Sequence, residues 1–347
     1  MKRLSPITAL MVLAYSITTV SCQNGQGSAN PPVFWDGGTI PDPVFRAYVL
    51  GRFDTDRNGK ISREEADAVF AIDVDAETAD TPLIESLTGV EYFKNLGKLT
   101  CNWNNLAALD LSENTALDTL DCSWNRIKAL DLAGNKALAK LDCSQNQLTK
   151  LDLTQNTELN VLYCTCNRLA ALDLSKNKAL TELYCNINEL ATLDLFENTE
   201  LKVLDCSKNK LIRLDLSENR ALAKLDCSRN SLAKLDLSEN TELKVLDCSK
   251  NKLIRLDLSE NRALAKLDCS RNSLAKLDLS ENTALHFLSA WQNPLLLLDI
   301  SGLSKIRHMD FDFEDNDIQV ITDHRTAIDD DLLRYYAIRR SRKAEKE

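Results

Sequence analysis

From Leu96 to Lys305 the apolar positions of the chain return with a period of 21 residues, through ten blocks without an insertion or deletion. Positions 1, 4, 6, 11, 14 and 16 of each block are apolar, and the consensus reads LxxLDCSxNxLxxLDLSxNxA. Alternation about positions 4 and 6 predicts a short strand with one face turned inward. One block cannot bury its own apolar side, so equivalent positions must stack block upon block into a continuous core. At about 4.8 Å per stacked strand, the repeats make a rod roughly 45–50 Å long. The second run, LDLS, is expected to form a short extended segment on the opposite side of each turn.

Two polar or semi-polar positions belong to the interior of this pattern. Position 9 is asparagine in every block, from Asn104 to Asn293. An inward amide there is expected to donate to one coil's backbone and accept from the next. Position 6 is cysteine from Cys101 to Cys269, nine times in a row. Stacked Cα atoms fall within disulfide distance, but in-register thiols cannot all pair, and their parallel side chains approach with poor dihedral geometry. No block has paired CxxC spacing and the chain has three histidines, which argues against a metal site. The thiols are expected to be free, buried and apolar in role. Cys166, at position 8 in YCTCN, is expected to face solvent.

A 21-residue period with LxxLxL and a following asparagine is the leucine-rich-repeat signature. On these residues the chain resembles bacterial leucine-rich-repeat proteins of the cell envelope and, more loosely, the internalins. The resemblance implies a leucine-rich-repeat solenoid: ten 21-residue coils with a parallel concave sheet, a helical EF-hand-like N-terminal cap and a C-terminal helix cap. Residues 201–241 are identical to 243–283, a two-coil duplication that a solenoid accommodates because each coil touches only its neighbours.

The ends carry different signals. Lys2 and Arg3 followed by an apolar run to Val20 read as a signal peptide over residues 1–21. The ending TVSC resembles the lipobox of bacterial lipoproteins, with Cys22 as the lipidated residue and 22–41, rich in Gly, Pro, Ser and Asn, as tether. Residues 42–82 form the expected cap, 83–305 the solenoid and 306–347 the C-terminal cap. Phe45, Tyr48, Val49 and Phe53, then Ala66, Val69 and Phe70, recur at helical spacing on either side of DTDRNGKISREE. That loop matches the calcium pattern D-x-[DN]-x-[DN]-G-x₅-E. Asp54, Asp56 and Asn58 would supply side-chain oxygens, Lys60 its carbonyl, Ser62 an oxygen directly or through water, and Glu65 two oxygens, holding one structural calcium ion. DDDLLRYYAIRRSRK reads as a terminal helix matched to its own dipole.

The net charge is −10, more negative once Lys2 and Arg3 are removed, so nucleic acid is not an expected partner. Repetition supplies no unique catalytic constellation, which argues against an enzyme such as a hydrolase. A binding scaffold is expected, exported and lipid-anchored at the outer membrane or cell surface, monomeric, with a protein partner or alternatively a glycan. Position 5 of the sheet is mostly aspartate, expected to be neutralised by neighbouring Lys and Arg. Two coils depart from that rule, with Tyr163 and Tyr184 in place of Asp and Thr165 and Asn186 alongside. Trp103 and Trp124 stand at position 8 nearby. These exposed aromatics, without adjacent charge, form the expected partner surface.

Overall fold

The computed structural model describes residues 38–76, 78, 81–310 and 319–321, all within one contact unit of the chain. Residues 1–21, Cys22, most of the tether, and the expected terminal helix over 329–343 lie outside them.

Each block begins one coil; coil 1 starts at Leu96 and coil 10 at Leu285. Positions 3–5 of every coil form a three-residue strand, and each strand pairs in parallel with the equivalent residues one block away, as in Leu183↔Leu204 and Leu225↔Leu246. The outcome is a 12-stranded parallel sheet. Its first strand, Ala71–Asp73, comes from the segment expected to be cap, and its last, His308–Asp310, from the segment expected to follow the solenoid. The leucines at positions 1, 4, 11, 14 and 16 are buried throughout the regular coils, as are the nine cysteines at position 6, whose thiols are free. Burial pushes every one of these thiols upward in pKa, Cys164 to about 12. They are packing groups and poor nucleophiles.

Position 9 works as a staple, with one change from expectation. In coil 7, Asn230 donates to the carbonyls of Cys227 and Ser228 in its own coil and Cys206 in the preceding one. Its oxygen accepts from Leu211 N, again in the preceding coil. Donor and acceptor therefore both reach backward. A second row of buried asparagines stands at position 19. Asn240 donates to Leu216 O and Asn219 O at 3.0 and 2.9 Å, while its oxygen, like those of eight equivalents, is buried without a donor. Both N–H groups are satisfied, which leaves the less costly half of the amide unpaired.

The LDLS segments do not become strands in the regular coils. They form turns in which position 15 Asp accepts from the backbone N–H of position 17, as Asp236 does from Ser238 at 3.0 Å. Among the described residues, that side carries one two-stranded pair, Leu297–Asp299 with Gln319–Ile321.

At the N-terminal end, Asp42 caps helix α1 (Pro43–Phe53) and accepts from Glu85 N and Ser86 N, tying the helix to the chain entering coil 1. Phe45 and Val49 are fully buried, and Phe53 packs on Phe93. The second helix, α2 (Arg63–Asp67), is only five residues long. Val69 is buried but lies past its end, and Phe70, expected on the helix face, is exposed because the chain turns there into the first strand.

Candidate functional site

Positions 3, 5, 7 and 8 make the outward face and edge of the sheet. Position 8 adopts left-handed backbone in all ten coils, φ +52° to +56°, with no glycine among them. This bend ends each strand and turns position 9 inward; the mixed sequence Trp, Gln, Cys, Ile, Lys, Arg at that position gives no hint of it.

The left-handed bend lays the two tryptophans flat on each other. Trp103 and Trp124 stack with centroids 4.1 Å apart and planes 8° from parallel, and each remains about half exposed. Tyr163 and Tyr184, on adjacent strands, stack at 4.5 Å and 7°. Thr165 Oγ1 donates to Asn186 Oδ1 at 2.5 Å. The structure thus brings the predicted residues together as two aromatic pairs, coils 1–2 and coils 4–5, with Asp142 and Gln145 of coil 3 between. It corrects the expectation that the tyrosines are exposed and free of charge. Both are half-buried, Tyr184 Oη donates to Glu182 at 3.3 Å, and Lys140 Nζ lies 5.8 Å from the Tyr163 ring centre. Burial, then the Glu182 charge, raises both phenols, Tyr184 to about 12.

The aspartate row needed another correction. No ion pair among the described residues involves a position 5 aspartate; the pairs found lie elsewhere, as in Lys178–Glu197 and Arg220–Glu239. The carboxylates are held instead by the position 7 serine two residues on, for example Ser207 N and Oγ to Asp205 at 3.0 and 2.7 Å. That bond is local, whereas reaching a basic side chain would require an extended rotamer across the sheet. Burial raises Asp142, Asp226 and Asp247, the last to about 6, with the stacked aspartate neighbours adding to the shift against the serine hydrogen bonds.

In the cap loop, carboxylate oxygens of Asp54, Asp56 and Glu65 lie within 4.8 Å of one another. Gly59, at φ +78°, makes the turn and donates to Asp54 at 2.8 Å. Asn58 Oδ1 accepts from Lys60 N. Ser62 is occupied as the N-cap of α2 in a reciprocal capping box with Glu65, so it helps to position Glu65 rather than presenting a free oxygen. Burial works against the charge on Glu65, but hydrogen bonds from Ser62 and Thr55 outweigh it and hold the carboxyl at about 2. Three carboxylates and an amide oxygen around one turn suit a hard, oxygen-seeking cation. Cys166 is half-buried, and burial raises its thiol.

Fold and surface together define a leucine-rich-repeat solenoid built on a cysteine ladder. Among proteins of that class, the chain is similar to a solved functional domain of InlJ from Listeria monocytogenes, described as including a cysteine ladder: 36% identity, TM-score 0.78, covering 83% of this chain and 63% of that one. Internalin J of L. monocytogenes serotype 4b is 38% identical over 76 residues, 22% of this chain and 8% of the relative. An internalin, inlF, from L. monocytogenes shares the fold at 19% identity and TM-score 0.66, covering 83% and 93%. The chain thus spans less than two thirds of the InlJ domain and a small fraction of Internalin J. No family model matches the chain. Among the described residues no helix is long and apolar enough to cross a membrane.

Proposed function

We propose that the chain is a non-enzymatic binding scaffold of the cell envelope that grips a protein partner on the sheet face of coils 1–5. The observation that carries this reading is the two parallel aromatic stacks, Trp103 on Trp124 and Tyr163 on Tyr184, on a sheet face whose other coils, coil 10 apart, carry aspartate at position 5 and mostly basic residues at position 8. Large rigid aromatics supply contact area at little entropic cost and concentrate binding energy. The likeness to internalin structures supports a scaffold role. In this reading the cap loop binds one structural calcium through Asp54, Asp56, Asn58, the Lys60 carbonyl and Glu65, with Ser62 setting the Glu65 rotamer, and Cys22 carries the lipid that holds the chain at the membrane.

The test compares wild type with a Tyr163→Asp/Tyr184→Asp double variant in pull-downs from envelope extract, beside a glycan array. Aspartate is the residue most coils already carry there, so the variant should fold, with a modestly lower melting temperature from the lengthened row of like charges, while the captured protein is lost. Capture that survives the substitution would move the partner surface elsewhere, and selective array binding that the same double variant abolishes would favour the glycan reading. For the cap, calorimetry should show one calcium site in wild type and none in Asp54→Ala.

A further inference from the structure

The chain is acidic, yet the flank of coils 6–9 is purely basic. Positions 8–14 of these coils (208–214, 229–235, 250–256, 271–277) hold ten Lys and Arg residues and no Asp or Glu. The same positions of coils 1–5 hold four basic residues and one acidic, Glu189. Because the two halves of this region are sequence duplicates, the grid of charge in coils 6–7 is repeated in register in coils 8–9.

The fold fixes that grid. Lys208, Arg229, Lys250 and Arg271 form one row at position 8, each in the left-handed bend, and the first three donate their backbone N–H to the next coil at 2.9 Å. Arg213, Lys234, Arg255 and Lys276 form a second exposed row at position 13. Only two of the ten make ion pairs among the described residues, Lys210 with Glu189 and Arg255 with Asp257. Arg271 lies over the Trp291 ring at 4.3 Å. Acidic rows border the strip at positions 5 and 15, each carboxylate accepting from a serine and still charged, so the cationic surface is confined to the strip between them. Cationic crowding shows at Lys250, whose ammonium is pushed down by burial and by Arg229 and Arg271 on either side. Arg213 and Lys234 also line an open groove of about 1080 Å³ with Phe196 and Ile212, but Asp194, Asp215, Glu218, Asp236 and Glu239 line it too, so the groove adds apolar surface beside the strip and is not itself cationic.

We propose that this flank binds a linear polyanionic polysaccharide laid along the solenoid axis, a surface distinct from the sheet-face partner site. Spacing selects the class. The cations repeat at the coil spacing, about 4.8 Å, and one hexose unit of an extended polysaccharide advances by about that distance. An extended peptide advances about 3.3 Å per residue, and each strand of duplex DNA places a phosphate about every 3.4 Å, so neither keeps step with the row. Sugar rings also present apolar faces suited to Ile212 and Phe196, both about two-thirds exposed. The duplication doubles the length of the track, and adjoining sites on one polymer add avidity.

The test measures binding of the full chain to immobilised polygalacturonate and to heparin at about 0.15 M salt, with poly-glutamate and single-stranded DNA as charge-matched competitors. A Lys208→Gln/Arg229→Gln/Lys250→Gln/Arg271→Gln variant should lose roughly ten-fold or more in affinity and show a shallower salt dependence. Glutamine already occupies this bend at Gln145 and Gln292, so the variant should fold. An in-register deletion of 243–284, which keeps both ends, gives a second route to the same loss. Tyr163→Asp/Tyr184→Asp should leave this binding intact, which separates it from the sheet-face reading. Tighter binding of polygalacturonate or of heparin supports the proposal and separates carboxylated from sulfated chains. Binding unchanged in both basic-flank variants, or competition by poly-glutamate or DNA as effective as by polysaccharide, overturns it.

Discussion

The two halves of a coil, LDCS on the sheet side and LDLS opposite, look interchangeable and behave in opposite ways. Both aspartates accept hydrogen bonds from the residue two places on: Asp247 from Ser249 N at 2.9 Å, Asp236 from Ser238 N at 3.0 Å and Oγ at 2.8 Å. Yet Asp247 is pushed up to about 6, by burial first and by Asp226 and Asp268 above and below, whereas those serine hydrogen bonds hold Asp236 below the ordinary carboxylate range. Local hydrogen bonding is the same; the sheet adds desolvation and a stack of like charges. A surface that keeps such a row has kept it against its own stability, which is typical of a face used for something other than folding.

The largest effects should come from the asparagine staples, and they sharpen the same contrast. Asn230→Ala on the sheet side strands the Leu211 N–H, while the carbonyls of Cys206, Cys227 and Ser228 keep other donors, and should cost about 2–3 kcal/mol; Asn240→Ala strands no donor and its two carbonyls keep backbone partners, so it should cost about 1. Urea midpoints check the order, and a reversal would break the comparison. Next, Asp247→Asn should stabilise the protein at pH 7.5 by roughly 1 kcal/mol after allowance for solvent screening. The sign follows from linkage: with a raised folded pKa the native state binds more protons, so stability falls as pH rises from the ordinary carboxylate range through about 6. Aspartates opposite, Asp110, Asp215, Asp236 and Asp278, have lowered values, and their contribution is lost as pH falls through them. The melting temperature should therefore be higher at pH 5 than at pH 7.5 and drop below about pH 4, and the variant should flatten the upper slope. Ile187→Asn should gain about 1 kcal/mol in denaturant melts, because a β-branched residue is held at φ +55° and Asn tolerates that bend. Smallest, Asp236→Asn should cost a few tenths of a kcal/mol at pH 7.5, opposite in sign to Asp247→Asn.

Periodicity made the core legible. Every inward leucine, the cysteine ladder and the position 9 staple follow from a repeat that only stacking can satisfy. The position 19 asparagines, one in each block but the last, are as regular in sequence, yet nothing in the pattern distinguishes an inward amide there from a turn residue. The left-handed bend at position 8 left no trace, because no glycine or asparagine marks it and tertiary hydrogen bonding imposes it. The charge of the sheet was misjudged for a related reason. Sequence places Lys208 or Arg229 near aspartate rows but cannot say that a serine two residues away engages the carboxylate first. In the cap, Ser62 followed by Glu65 is a capping pair as well as part of a calcium pattern, and the helix it starts is shorter than the apolar spacing suggested because Ala71 enters the sheet.

The account turns on one register placing chemically similar Asp–Ser pairs in unlike surroundings. Carbon-detected NMR titration of the side-chain carboxyls of Asp247 and Asp236 in the same sample tests it directly. The account predicts a midpoint near 6 for Asp247 and one below the usual carboxylate range for Asp236. Two overlapping curves at the ordinary value would contradict it.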